Sequence, residues 1–361
     1  MKQMVKPKQL KIGDKVAIVS LSSGIIGEPD LKIQLDLGIR RLTLMGLLPV
    51  FMPNALKGIR FIKDNPKARA DDLIQAFKDD EIKAIICAIG GDDTYKTIPY
   101  LMADENFKQL VQNNPKIFIG FSDATNNHWL LNQLGLVTYY GLNFLSDLCE
   151  LETQMLSYTK ENYELFFQNE PKIEIKPSPT WFENRTSYGD DQLGVPLNAH
   201  GEKRGYEVLY GKGVVSGKLW GGCLESIYDI YTSNRYPDQR KIYDDFDLIP
   251  QGSFFKEKII FLETSEERPE PEIFEKMMNL LIKENVLTQS SALIVGKPYD
   301  EVHYEAYKKI LIKIAGKLKL PTLYNVNVGH ALPRAMLPIG LNGQIDLNNK
   351  KIFITESLFS A

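Results

Sequence analysis

Residues 116–136 read KIFIGFSDATNNHWLLNQLGL. After Lys116, the next four are β-branched, aromatic or small and form a short apolar run suited to a buried strand. Gly120-Phe121-Ser122-Asp123-Ala124 then turns the chain, and a helix begins at once. Strand, tight turn and helix with serine at the tip is a GxSxA form of the nucleophile turn. It exposes the hydroxyl and aims helix amides toward any oxyanion formed on it. The alternative is that Ser122 or Asp123 caps the helix.

The same alternation extends upstream. Residues 15–21, KVAIVSL, form an apolar run that ends in a polar, glycine-containing segment. Leu31, Leu35, Ile39, Leu42 and Met45 then recur at helical spacing over 29–46, and Ala70, Leu73, Ile74 and Phe77 do so over 67–78. Residues 82–89, IKAIICAI, run into Gly90-Gly91, and 137–141, VTYYG, supply one more short strand. Continuous apolar strands between amphipathic helices predict a parallel sheet covered on both faces. Functional loops in such sheets lie beyond the carboxyl ends of the strands, here residues 20–23, 90–94 and 120–123.

A change of character near 165–175 divides the chain into residues 1–168, a polar linker and substrate loop over 169–206, and residues 207–361. The loop carries Trp181 and reads as a cover over a site or as a disordered insert. Beyond it, strand-like pieces at 207–220, 257–264 and 291–296 alternate with helices near 223–232, 271–284 and 301–317. Short strands follow over 335–356.

The 361 residues carry a net charge of −3, 25% charged and 43% hydrophobic side chains, three cysteines and four histidines. The balance argues against a nucleic-acid polymer as partner, since such proteins carry a basic stripe. The spacing of Cys87, Cys149 and Cys223 provides no CxxC cluster, and the histidines provide no HExxH pair, so no metal is expected. Nor is a membrane partner: the N-terminus lacks an apolar core of the signal type and no run reaches the roughly 18 residues of a span. A reducing, cytoplasmic setting is expected.

A serine nucleophile needs a base. His128 lies in the helix after Ser122, where packing accounts for it. His200 sits in the polar loop and His303 in a helix. His330 follows the strand-like TLYNVNV and a glycine, so it is held yet able to reach a cleft. Glu263 ends the apolar strand KIIFLE, and a carboxylate there requires a partner. Ser122, Glu263 and His330 would make a triad in the order Ser, Glu, His. The turn GGDDT at 90–94 allows close backbone approach and offers either an oxyanion donor or a phosphate cradle of the kinase GGDGT type. In that second reading Asp93 stands where the kinases have glycine, and no Walker sequence accompanies it.

The segments IKAIICAIGGDDTYKTIPYL, NPKIFIGFSDAT, LWGGCLESI, IIFLETSEERPEPE, ALIVGKP and YNVNVGHALPRAMLPIG together resemble the LD-carboxypeptidase family of serine peptidases, most of all its microcin C self-immunity branch. The likeness runs from about residue 10 to residue 354. It implies an α/β protein with an N-terminal flavodoxin-like domain carrying the nucleophile and a C-terminal, barrel-like α/β domain carrying the acid and base. Matching the family's motifs residue by residue gives Ser122, Glu263 and His330 as catalytic, with the backbone amides of Gly91 and Asp123 as oxyanion donors. No cofactor is implied, and a homodimer is expected.

Two substrates fit the resemblance. One is an aminoacyl-nucleotide, with Trp181 stacking on the base. The other is a murein tetrapeptide, whose carboxylate Arg334 or Arg185 would bind. Gly90 and Cys223 border the site in either case. The chain departs from the family at Cys223, where an amide side chain is usual, and at Ala331, which stands for a threonine beside the base. A ligand-binding protein that kept the fold without the chemistry is the non-enzymatic alternative.

Overall fold

The computed structural model describes residues 4–360. Five strands occupy the first part of the chain: β1 (Lys15–Val19), β2 (Leu48–Phe51), β3 (Ile82–Cys87), β4 (Ile117–Gly120) and β5 (Thr138–Tyr140). The later part contributes β6 (Ile173–Ile175), β7 (Thr180–Phe182), β8 (Ala199–Gly201), β9 (Glu207–Tyr210), β10 (Val214–Cys223), β11 (Lys258–Glu263), β12 (Ala292–Gly296), β13 (Thr322–Val326), β14 (Leu337–Ile339), β15 (Asn342–Asp346) and β16 (Lys351–Ile354).

The N-terminal strands pair in the order β2-β1-β3-β4-β5, all parallel. This is the flavodoxin-like order expected from the sequence. Helices Lys32–Leu44, Pro66–Lys78 and Thr125–Gln133 connect the strands. Residues such as Ala84, Ile85, Phe118 and Ile119 are buried, which is why these strands read as unbroken apolar runs. Each fully buried aliphatic or aromatic side chain contributes about 1.5–3 kcal/mol relative to exposure. The sheet ends with a strand from the far end of the chain: β14 adds antiparallel to β5, pairing Leu337 with Tyr140.

The second sheet has the order β6-β16-β15-β10-β11-β12-β13-β9. Its middle four strands are parallel and its flanks antiparallel. Among the described residues no ladder joins the edge strands β6 and β9, so the barrel-like form expected of this half is not confirmed. Strand β6 lies inside the stretch read as a linker, and β14 leaves the C-terminal half for the first sheet. The two halves are therefore more interleaved than a single cut near residue 170 implies.

Residues 177–207 are not a disordered insert. β7 and β8 form an antiparallel pair with Trp181 opposite His200, and the Phe182 N–H donates to the Leu332 carbonyl at 3.1 Å. His303 lies just before the helix Tyr304–Leu318 with a left-handed backbone, rather than inside it. No helix among the described residues is long and apolar enough to cross a membrane.

Candidate active site

The chain leaves the buried strand β4 through Phe121, whose backbone is extended, and enters Ser122 at φ 64°. A left-handed serine is strained backbone, held here by the structure around it. Its N–H donates to the Tyr140 hydroxyl at 3.1 Å. Thr125 Oγ1 donates to the Ser122 carbonyl at 2.7 Å and accepts from the Cys223 N–H at 3.0 Å, tying the elbow to the end of β10. Gly90 packs directly against this turn: a Cβ there would lie 2.7 Å from Ser122 Cβ and 2.9 Å from its Oγ. Among the described residues, Ser122 Oγ and the N–H groups of Gly91 and Asp123 have no hydrogen-bond partner.

Glu263 ends β11 and is 1% exposed. One carboxylate oxygen accepts from His330 Nδ1 at 2.7 Å and from the His330 N–H at 3.1 Å, and the other accepts from the Tyr140 hydroxyl at 2.6 Å. Gly329 precedes the histidine at φ 92°, and any side chain there would overlap the Glu263 carboxylate. Only glycine meets both conditions without strain. Burial alone would raise the Glu263 carboxyl, but the His330 ring and these hydrogen bonds hold it below the ordinary glutamate range. Burial acts to lower His330, yet Glu263 and Glu266 raise it above the ordinary imidazole value. His330 Nε2 faces Glu266 Oε2 at 3.1 Å. The imidazole therefore stands between two carboxylates.

A small solvent-open cleft lies at the elbow, lined in part by Gly91, Ser122, Asp123, Cys223 and Glu266. Glu225 lies in its wall, accepting from both the N–H and the hydroxyl of Ser265 at 2.8 Å, and burial together with Glu263 lifts its carboxyl to about 7. Asp123 is lifted to about 6 by burial, although Ser22 and Thr94 donate to it at 2.6 and 2.8 Å. The Cys223 thiol is pushed well up by burial and by Glu225 and Glu263, which keeps it protonated and a poor nucleophile. Parallel register sets Cys223 directly beside Glu263. Donor atoms of Cys223, Glu263 and His330 lie within 4.8 Å of one another, with both Glu263 oxygens already engaged by His330 and Tyr140.

The expected residues fall into two groups. Ser122, Gly91, Asp123 and Cys223 line one cavity, with Gly90 against the serine and Glu263 and His330 joined to each other. Trp181, Arg334 and Arg185 are not in its wall. Trp181 stacks on His200 with ring centroids 4.2 Å apart, which occupies one face of the indole. Arg334 is buried, with donors directed to Asp147 and to the carbonyls of Gly329 and His330, so it braces the histidine loop. Arg185 is held by Glu150 and the Val195 carbonyl.

Sequence reading missed Tyr140, Thr125 and Glu266. Tyr140 was within reach, because it ends the strand after the nucleophile strand and pairs with Gly120 in parallel register. His128, set aside as packing, is fully buried beside Phe118, with Nε2 3.0 Å from the Gly120 carbonyl oxygen. Burial lowers its ring to about 4, which keeps it neutral, so Nε2 is the donor to that carbonyl.

Comparison with known proteins agrees with this geometry. Residues 16–141 match the LD-carboxypeptidase N-terminal domain, and residues 216–345 match the LD-carboxypeptidase C-terminal domain. The chain is 28% identical to a probable murein peptide carboxypeptidase of Bacillus subtilis, over 97% of this chain and 94% of that protein. It is 26% identical to the microcin C7 self-immunity protein MccF of Escherichia coli, over 81% of this chain and 80% of that protein. An MccF-like protein from Streptococcus pneumoniae, solved in complex with AMP, superposes with a TM-score of 0.90 at 45% identity, covering 94% of this chain and 98% of the other.

Proposed function

Since the chain belongs to the LD-carboxypeptidase family of serine peptidases, we propose that it hydrolyses the amide of aminoacyl-nucleotides, as in immunity to peptide-nucleotide antibiotics, through Ser122, Glu263 and His330. The observation that carries this reading is the 2.7 Å hydrogen bond from His330 Nδ1 to the buried Glu263, beside a serine in a strained turn. Glu263 fixes the tautomer that leaves Nε2 as the base and stabilises the imidazolium formed in the reaction.

His330 Nε2 takes the Ser122 proton as Oγ attacks the amide carbonyl. The free N–H groups of Gly91 and Asp123 receive the developing oxyanion. His330 then returns the proton to the departing nitrogen, leaving an acyl ester on Ser122. Water, deprotonated by the same imidazole, attacks the ester and releases the free acid and the serine hydroxyl. For either deprotonation Nε2 must first leave Glu266. Low-pKa Cys chemistry is not needed, and neither is a metal or an organic cofactor.

An AMP complex of a protein 45% identical to this chain supports a nucleotide-bearing substrate. The murein tetrapeptide is the second reading, favoured by the 28% identity to a murein peptide carboxypeptidase along nearly the whole chain. Incubating wild type and Ser122→Ala with an aminoacyl sulfamoyl-adenosine and with a murein tetrapeptide, followed by mass spectrometry, tests both. The expected result is cleavage of the nucleotide conjugate by wild type and a loss of roughly 10⁶-fold in the variant. Equal products from the two proteins would remove the serine from the mechanism. Cleavage of the tetrapeptide alone would select the second reading. Cleavage of neither, with ATP raising the melting temperature, would point to the kinase-like GGDDT turn.

A further inference from the structure

We infer that the acyl half of the substrate is cationic, and that the enzyme favours basic aminoacyl groups over acidic ones. The inference rests on the aminoacyl-nucleotide reading above and adds the sign of the charge that the site accepts. The cavity at Ser122 is lined by six carboxyl groups, on Asp92, Asp123, Glu225, Asp229, Glu266 and Glu267, against the single guanidinium of Arg235. That guanidinium is already balanced. It pairs with Glu267, lies 3.5 Å from Asp229 and 4.0 Å from Asp92, and has no counter-charge left for an anion.

The location of the nucleophile gives this lining a meaning that acidic residues alone would lack. The serine hydroxyl and the unpaired amides of Gly91 and Asp123 border the same space, so the reacting carbonyl and what flanks it must enter there. An aminoacyl-nucleotide has two chemically opposite ends. Its nucleotide half carries phosphate or a polar isostere, which this field repels. Its acyl half carries a free α-ammonium, which the field attracts. The acyl half therefore occupies the acidic cavity and the nucleotide lies outside it. A second ammonium or guanidinium on the acyl side chain gains from the same field, and a side-chain carboxylate is penalised by it.

Glu266 makes the preference catalytic as well as binding. Its side chain is 61% exposed and lies 3.1 Å from His330 Nε2, the nitrogen that acts as base toward Ser122 in the proposed mechanism. A cationic acyl group offers Glu266 another partner and frees Nε2 to act as base. An acidic one leaves Glu266 on the imidazole. Charge selectivity should then appear in kcat and not only in KM.

The test compares lysyl-, alanyl- and aspartyl-sulfamoyl-adenosine as substrates of the full chain, and as calorimetric ligands of Ser122→Ala, where no turnover is needed. The expected order of kcat/KM is lysyl, alanyl, aspartyl, with lysyl at least about tenfold above aspartyl. The expected order of affinity for Ser122→Ala is the same. Glu267→Lys, which reverses one charge at the rim, should lower the lysyl-to-aspartyl ratio by at least about tenfold. Glu266→Gln, nearly isosteric, should lower the same ratio while a melting curve verifies that each variant is folded. Cleavage of all three conjugates at similar rates overturns the charge inference and leaves the hydrolase reading intact. The expected order of binding without any cleavage overturns the hydrolase reading and leaves the charge inference intact. Equal binding of the three, preference for aspartyl, or no binding overturns the inference outright.

Discussion

His330 is the residue on which the chemistry turns, because it is hydrogen-bonded to Glu263 at Nδ1 and has Glu266 Oε2 3.1 Å from Nε2. A neighbouring negative charge stabilises the imidazolium, so Glu263 and Glu266 both move the ring upward against the opposing effect of burial. A base must be neutral, and activity should therefore rise as pH climbs through this raised value. Removing one of the two charges moves the transition the other way. Glu266→Gln is expected to shift the acid limb of the kcat/KM profile to lower pH, read with an uncharged aminoacyl substrate. An unmoved limb, or one moved upward, would show that Glu266 does not act on the ring. The catalytic candidates were readable from the sequence because each stands where an apolar run stops: Ser122 after KIFIGF, Glu263 after KIIFL and His330 after NVNVG. Tyr140 could be placed only as the end of the neighbouring strand, and Glu266 not at all. Their roles depend on which neighbouring strand end or loop their side chains meet, and local pattern carries no such information.

At the level of elements, the site is built from strand ends that are brought together by register. β4 and β5 place Gly120 beside Tyr140, and β10 and β11 place Cys223 beside Glu263. The turn after β3 supplies the remaining wall. Its closest point is Gly90, where an added methyl would press on the serine Cβ and Oγ. Gly90→Ala is expected to lower kcat by about 10²–10³, the effect of misplacing an oxyanion donor, with little change in melting temperature. Unchanged turnover would mean that the turn is not part of the reaction.

The same turn is anchored beneath by Asp93, which accepts from the fully buried Arg69 at 2.6 Å. Arg69 also donates to the Leu21 carbonyl at 3.1 Å, and its Nε and Nη2 have no partner among the described residues. Replacing it takes from Asp93 its fully buried partner and leaves only the partly exposed Lys96 ammonium at 3.1 Å. Arg69→Met should reduce stability by about 3–5 kcal/mol in urea denaturation, and a loss under 1 kcal/mol would contradict this role. Asp93 was noticed in the sequence as an obstacle to phosphate binding. Its partner lies in a helix far upstream, which is why its anchoring role was hidden. The β7–β8 hairpin was hidden for a different reason, since three-residue strands are too short to show an alternating pattern.

In the whole molecule, the two sheets are joined at the elbow itself. Trp129 packs on Trp220 at a tilt of 37° with centroids 4.3 Å apart, and Thr125 bridges the Ser122 carbonyl to the Cys223 N–H. Thr125→Val keeps the shape and removes the bridge. It should destabilise the protein by about 1–3 kcal/mol, because the buried Cys223 N–H is left without an acceptor, and it should also lower kcat. A fully active, equally stable variant would mean that the bridge is dispensable. The division into two parts was readable from the change of character near residue 170 and the parallel sheet from the alternation of runs and helices, whereas the flavodoxin-like order came only with the family resemblance. The crossing of β14 into the first sheet was not readable, since an LPI tripeptide among proline-punctuated residues fits many partners equally well.

That crossing has a consequence for how the molecule comes into being. A chain emerging from the ribosome presents residues 1–140 long before residues 337–339 exist. Throughout that interval β5, which carries Tyr140, has an unsatisfied edge. The nascent N-terminal half must therefore wait in a half-finished state, open to chaperones or to pairing with a neighbouring chain. Pairing of β14 closes that edge on the strand whose Tyr140 hydroxyl donates to Glu263, the acid of the proposed triad. The protein is thus expected to acquire its activity only after residues 337–339 have been made and paired, rather than domain by domain.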